Sequence, residues 1–152
     1  MINGVIYKTL KKIPDDRGVV WQLMKKSDEA FSQFGEIYFT SLYHQVIKAW
    51  HKHKKMDLNY ACIAGAVKVV LYDGREKSST RGQVEEYYLS ADCYGLLHIP
   101  HGVTNGMIGV DQRLSIVANL ATLEHDPNEM ERFDLSEIEY NWQTGKGLKQ
   151  AG

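Results

Sequence analysis

Val46-Ile-Lys-Ala-Trp-His-Lys-His53 is the stretch on which the fold turns. Read as an extended strand, it places Val46, Lys48, Trp50 and Lys52 on one face and Ile47, Ala49, His51 and His53 on the other. Two histidines two residues apart thus point the same way, on the face that carries Ile47 and Ala49. If that face lines the inside of a barrel, both imidazoles look into a cavity.

The neighbouring segments have the same texture. Residues 19–24, 36–42, 58–65, 66–73, 84–90, 94–100 and 113–122 are strand-length runs rich in β-branched and aromatic residues. Turn signals separate them: Asp16-Arg17-Gly18, Asp73-Gly74 and Pro100-His101-Gly102. Helical signals are weak. Ser27–Phe34 reads as one or two turns with Ser27 as N-cap, and a second short piece is expected near Glu131–Tyr140. Eight or more strands and no long helix define an all-β class, sandwich or barrel. Residues 1–143 read as a single domain, and 144–152 as a frayed tail without apolar periodicity.

Composition narrows the function. The chain has 152 residues, 43% hydrophobic and 24% charged, as an ordinary globular domain does. A net charge of −1 excludes the broad basic footprint of a nucleic-acid binder. Cys62 and Cys93 are too few for a disulfide scaffold and are expected as reduced thiols in a cytoplasmic protein, although strands of one sheet would also allow them to pair. No signal-peptide h-region opens the chain and no window is long and apolar enough to span a membrane.

The candidate chemistry clusters around the opening stretch. His51-Lys-His53 followed by Asp57 and Gly65 has the spacing of the first cupin motif, and Pro100-His101-Gly102-Val103-Thr104-Asn105 resembles the second, with Asn105 where a histidine usually stands. His51, His53 and Asp57 are the candidate metal ligands; the alternative is a metal-free cavity with Asp57 on a solvated turn. Asn105 and Asn119 are candidates to hydrogen-bond a ligand inside the barrel.

A wider resemblance covers Asp16 to Trp142. Asp16-Arg17-Gly18, Lys48-Ala-Trp-His-Lys-His53, Asp73-Gly-Arg75 through Gly82, Ile99-Pro-His-Gly-Val-Thr-Asn-Gly-Met107 and Ile138-Glu-Tyr-Asn-Trp142 occur in the order and spacing of motifs in the dTDP-4-dehydrorhamnose 3,5-epimerase family. The resemblance implies a cupin jelly-roll barrel, a homodimer, a nucleotide-linked 4-keto-sugar as substrate and no organic cofactor. It implies proton abstraction next to the ketone, with His51 as base. Arg17 would contact the diphosphate across a dimer interface, and Lys48 stands where the family carries a diphosphate-binding arginine. Strand alternation puts Lys48 on the face opposite His51 unless a bulge intervenes. His53 and Tyr60 are further candidates for substrate contact and for the acid, as is water. Leu58 occupies the place of a family lysine, and Val117–Asn119 the place of its acid tyrosine. The segment that supplies the family histidine with a carboxylate partner is absent. Two rival readings are a metal-dependent cupin and a binding module that keeps the sugar-nucleotide pocket without turnover.

Overall fold

The computed structural model describes residues 1–143. Twelve strands form two five-stranded antiparallel sheets and one hairpin. In chain order they are β1 (Ile6–Thr9), β2 (Lys12–Asp15), β3 (Gly18–Trp21), β4 (Glu36–Leu42), β5 (Ile47–His53), β6 (Leu58–Ala64), β7 (Ala66–Tyr72), β8 (Val84–Ser90), β9 (Gly95–Ile99), β10 (Thr104–Gly109), β11 (Ser115–Ala121) and β12 (Met130–Arg132). The first sheet runs β1-β9-β6-β11-β4 and the second β12-β5-β10-β7-β8, with β2-β3 apart as the hairpin. This is the jelly-roll architecture of the cupins, as expected.

Period-two patterning explains how the sheets close. On β7, Val67, Val69 and Leu71 join Leu58, Tyr60 and Cys62 of β6 and Leu97 and Ile99 of β9 in the core between the sheets. The intervening Val70 faces outward, where the chain after β12 covers it. Trp142 packs against Trp50 at 4.8 Å between ring centroids, with Val70 and Ile108 beneath. The Ile138–Trp142 motif is therefore a clamp on the outer face of the second sheet. Lys68, buried on that face, donates to the Tyr140 hydroxyl at 2.6 Å. Gly65 makes the tight β6–β7 turn with φ +66°, a conformation that favours glycine.

The helical expectations resolve differently. Residues 26–30 form turns and no helix, while Leu135–Glu137 is one 3₁₀ turn capped by Asp134, whose own amide donates to Glu137 Oε1 at 2.6 Å. Cys62 is buried and Cys93 exposed; both are free. The expected tail at 144–152 lies outside the described residues.

The Asp73 motif is structural. Its buried carboxylate accepts from Arg75 Nε and Nη2, each at 2.8 Å, and from the Ser78 and Thr80 hydroxyls, each at 2.6 Å. The Arg75 hydrogen bond holds this carboxyl far below the usual carboxylate range, against burial and with help from Ser78 and Thr80. A depressed folded value means the stabilisation is present above the unfolded value of 3.8 and is lost as pH falls through the folded one. Asp73→Asn should lower unfolding stability near neutral pH by about 3 kcal/mol, the scale of breaking a buried ion pair. In urea denaturation, the gap from the wild type should shrink as pH falls below 3.8.

Candidate active site

A cavity of about 690 Å³ opens between the sheets beside β5. Lys48, His51 and His53 line it from the second sheet, and Glu36, Tyr38, Thr40 and Tyr60 from the first. Lys48 shares the cavity with His51 because β5 carries one extra residue. Asn105 of β10 pairs with His51 and Met107 with Lys48, so two steps on β10 meet three on β5. That bulge at Ala49–Trp50 inverts the alternation. Trp50 turns into the outer aromatic layer, and Lys48 turns inward to donate to Thr40 Oγ1 at 3.0 Å and to the Ser41 carbonyl at 2.8 Å. The exception allowed for Lys48, a bulge between it and His51, is the case that occurs.

His51 is half-buried. Burial lowers its pKa, and the neighbouring Arg132, His53 and Lys48 lower it further. Its imidazole is therefore neutral around pH 7, with a lone pair available as a base. His53 is buried and fixed by a carboxylate. Its Nδ1 hydrogen-bonds Glu129 Oε1, while Glu129 Oε2 accepts the amides of Lys54, Lys55 and Met56 at 3.0, 3.1 and 3.3 Å. Burial would raise the Glu129 pKa, but His53 and the amides outweigh it and keep the group ionised. An ionised carboxylate only accepts, so Nδ1 donates to Glu129 and Nε2 is the ring nitrogen left for another partner. A carboxylate partner thus exists for His53, delivered by the turn before β12, and not for His51, the histidine for which it was expected to be missing.

The two asparagines do not line the cavity. Asn105 is buried, donating to the His51 carbonyl at 3.2 Å and accepting from the Tyr60 hydroxyl at 3.3 Å. Asn119 is fully buried, accepting from the Asn59 amide at 3.0 Å and donating to the Tyr38 hydroxyl at 2.8 Å. Both amides are committed to protein groups. Tyr60 does reach the cavity, and burial raises its phenol pKa strongly.

Two other expected residues lie elsewhere. Asp57 turns away from the histidines and accepts from the amide and Nδ1 of His101, each at 2.8 Å. His53 is meanwhile taken by Glu129, so the set His51, His53 and Asp57 is split. Among the described residues no group of three His, Cys, Asp or Glu side chains is placed to hold a metal ion. Arg17 sits at the tip of the β2–β3 hairpin, paired with Asp15 at 2.6 Å and exposed, away from this chain's own cavity. Leu58 is core.

Glu129, Arg132, His125 and Tyr38 complete the site and were not singled out as site residues from the sequence. Strand alternation in β12 turns Glu131 out to Lys52 at 2.5 Å and Met130 and Arg132 toward the cavity.

An antiparallel jelly roll with histidines, a buried carboxylate and phenols converging on one cavity defines a cupin suited to acid–base chemistry. The model of the dTDP-4-dehydrorhamnose 3,5-epimerase family matches residues 1–149. The spore coat polysaccharide biosynthesis protein SpsL of Bacillus subtilis is 34% identical over 148 residues, covering 95% of this chain and 98% of that protein. The crystal structure of a dTDP sugar isomerase from Desulfovibrio desulfuricans G20 superposes with TM-score 0.89 at 37% identity, covering 93% of this chain and 92% of that one. NovW, a 4-keto-6-deoxy sugar epimerase from Streptomyces spheroides, shares the fold with TM-score 0.85 at 21% identity, covering 97% and 78%. The chain belongs to the dTDP-4-dehydrorhamnose 3,5-epimerase family and is a nucleotide-sugar epimerase, an isomerase.

The site's electrostatics make a direct expectation. In an NMR titration, the His51 ring resonance, assigned by its loss in His51→Ala, should show a midpoint below 6.5. Arg132→Ala removes a neighbouring cation and should move that midpoint up.

Proposed function

We propose that the chain epimerises a dTDP-4-keto-6-deoxyhexose, with His51 as the base that removes a proton next to the 4-keto group. The neutral, half-buried His51 facing the 690 Å³ cavity carries this reading. A ketone acidifies the hydrogens at the adjacent sugar carbons, so a neutral imidazole suffices to remove one. Lys48 and Arg132 supply positive charge for the enolate oxygen and the diphosphate. His53, held in one tautomer by Glu129, hydrogen-bonds the sugar through Nε2. The same His53–Glu129 pair favours a second reading, in which His53 is the base and His51 orients the ketone. Both readings need neither a metal nor an organic cofactor.

The domain spans residues 1–143 and works in the cytoplasm as a homodimer. Strand β4 is the free edge of its sheet and exposes Ile37 and Phe39, while the hairpin exposes Ile13, Val19, Val20 and Trp21. Unpaired edges and exposed apolar patches of this kind are normally covered by a partner. A hairpin delivered to the neighbouring subunit would carry Arg17 to that subunit's cavity, where a guanidinium suits a diphosphate. The product would feed assembly of a surface polysaccharide, the process named for the Bacillus relative.

Proton NMR in deuterium oxide tests the chemistry. With dTDP-4-keto-6-deoxyglucose made in situ, the wild type should erase the signals at sugar carbons 3 and 5, or at one of them for a mono-epimerase. His51→Ala should slow this by roughly a thousandfold, the scale of removing a general base. If His53→Ala abolishes exchange and His51→Ala does not, the second reading holds. Because burial and cations lower the His51 pKa, kcat/KM should stay level through neutral pH and fall only below 6.5. Sedimentation should give a dimer, and Phe39→Glu should shift it toward monomer.

A further inference from the structure

We propose that Tyr38 is the general acid that returns the proton on the face of the sugar opposite the base. This rests on the epimerase reading above and adds the residue it lacks. Inversion needs a base and an acid on opposite sides of the ring. The two sheets provide those sides: His51 and His53 project from β5 in one, Tyr38 from β4 in the other.

Hydrogen-bond directions single out Tyr38. Asn119 Oδ1 lies 3.0 Å from the Asn59 backbone amide, which can only donate. The orientation of the Asn119 amide is therefore settled, and its Nδ2 donates to the Tyr38 oxygen at 2.8 Å. With that lone pair occupied by a donor, the phenolic proton is left for another acceptor, and none is placed for it among the described residues. Tyr60 is the reverse case: its hydroxyl donates to Asn105 Oδ1, and the side chain is buried. His53 projects from the same strand as His51, on the side of the base, and the Thr40 hydroxyl, which accepts from Lys48, is an aliphatic alcohol and a far weaker acid than a phenol.

The step balances. The imidazole takes the C–H proton, and the electron pair enters the carbon–carbon bond as the ketone oxygen becomes an enolate. Tyr38 O–H then protonates that carbon from the other face and the ketone reforms. The resulting phenolate is held by the Asn119 N–H, and imidazolium and phenolate reset by exchange with water. Asn119 is thus a positioning residue that stabilises the acid after it has given up its proton.

The experiment separates proton removal from inversion. In deuterium oxide with dTDP-4-keto-6-deoxyglucose, Tyr38→Phe should still exchange the α-proton within about threefold of wild type while inverted product falls by on the order of 10²–10⁴. Retained exchange also shows that the variant is folded with its base in place. Inverted product at the wild-type rate in Tyr38→Phe overturns the proposal. Equal loss of exchange and inversion overturns it as well, because the hydroxyl would then only shape the site. Tyr60→Phe losing inversion while Tyr38→Phe keeps it assigns the proton to the other phenol. A wild-type protein that neither exchanges nor inverts sinks the epimerase reading first and this assignment with it.

Discussion

The extra residue in β5 is the constraint on which the site depends. A regular strand would send Lys48 and Trp50 to one face and the histidines to the other. By opposing two residues of β10 with three, the strand keeps Lys48, His51 and His53 in the cavity and releases Trp50 outward. The partner strand must make room. A Cβ at Gly106 would stand 2.4 Å from the Ala49 Cβ and 2.8 Å from the Trp142 ring, so only glycine fits beside the bulge. The C-terminal clamp, the glycine and the bulge are one packing problem. Its solution leaves the catalytic face polar while the opposite face of the same strand is sealed by tryptophans.

Electrostatics then divides the labour between two histidines on one strand. His51 has cations for neighbours and is partly desolvated, and both effects favour the neutral ring. His53 has an anion for a neighbour, and that anion is itself held by three backbone amides. One ring is thus free to gain a proton, and the other is locked in orientation. The positive charge around His51 also suits the anionic end of a nucleotide-linked sugar, so in the proposed mechanism one set of side chains tunes the base and attracts the substrate.

Legibility in the sequence followed the strength of local signals. Strands β4 and β8 match their expected bounds because their β-branched and aromatic residues run unbroken between turns. β10, Thr-Asn-Gly-Met-Ile-Gly, was not read as a strand, since its two glycines answer to close backbone approach rather than to strand propensity. β1, β2 and β12 are three or four residues long, too short for periodicity to register. His51, His53, Lys48 and Tyr60 were found because a motif or an alternation pointed at them. Glu129 and Arg132 follow a turn, and the pairing that brings them to the site is a long-range contact that local patterns do not encode. Asn119 was placed on the right strand and Asn105 only within a motif, and in both cases burial commits the side-chain amide to protein groups.

Asn119 shows why the missing acid was hard to see. In an antiparallel pair, the residue directly across from Asn119 is Tyr38, on the strand next door. Loss of a functional side chain from one strand can therefore be offset by its cross-strand neighbour, because both project into the same volume. The function belongs to a position in space rather than to a position in the chain. A phenol arriving from the edge strand needs something to fix its hydroxyl, and the asparagine beneath it, anchored by the Asn59 amide, does that. The same two-sheet geometry that makes a jelly roll stable sets His51 and Tyr38 on opposing walls, the arrangement that inversion at carbon requires.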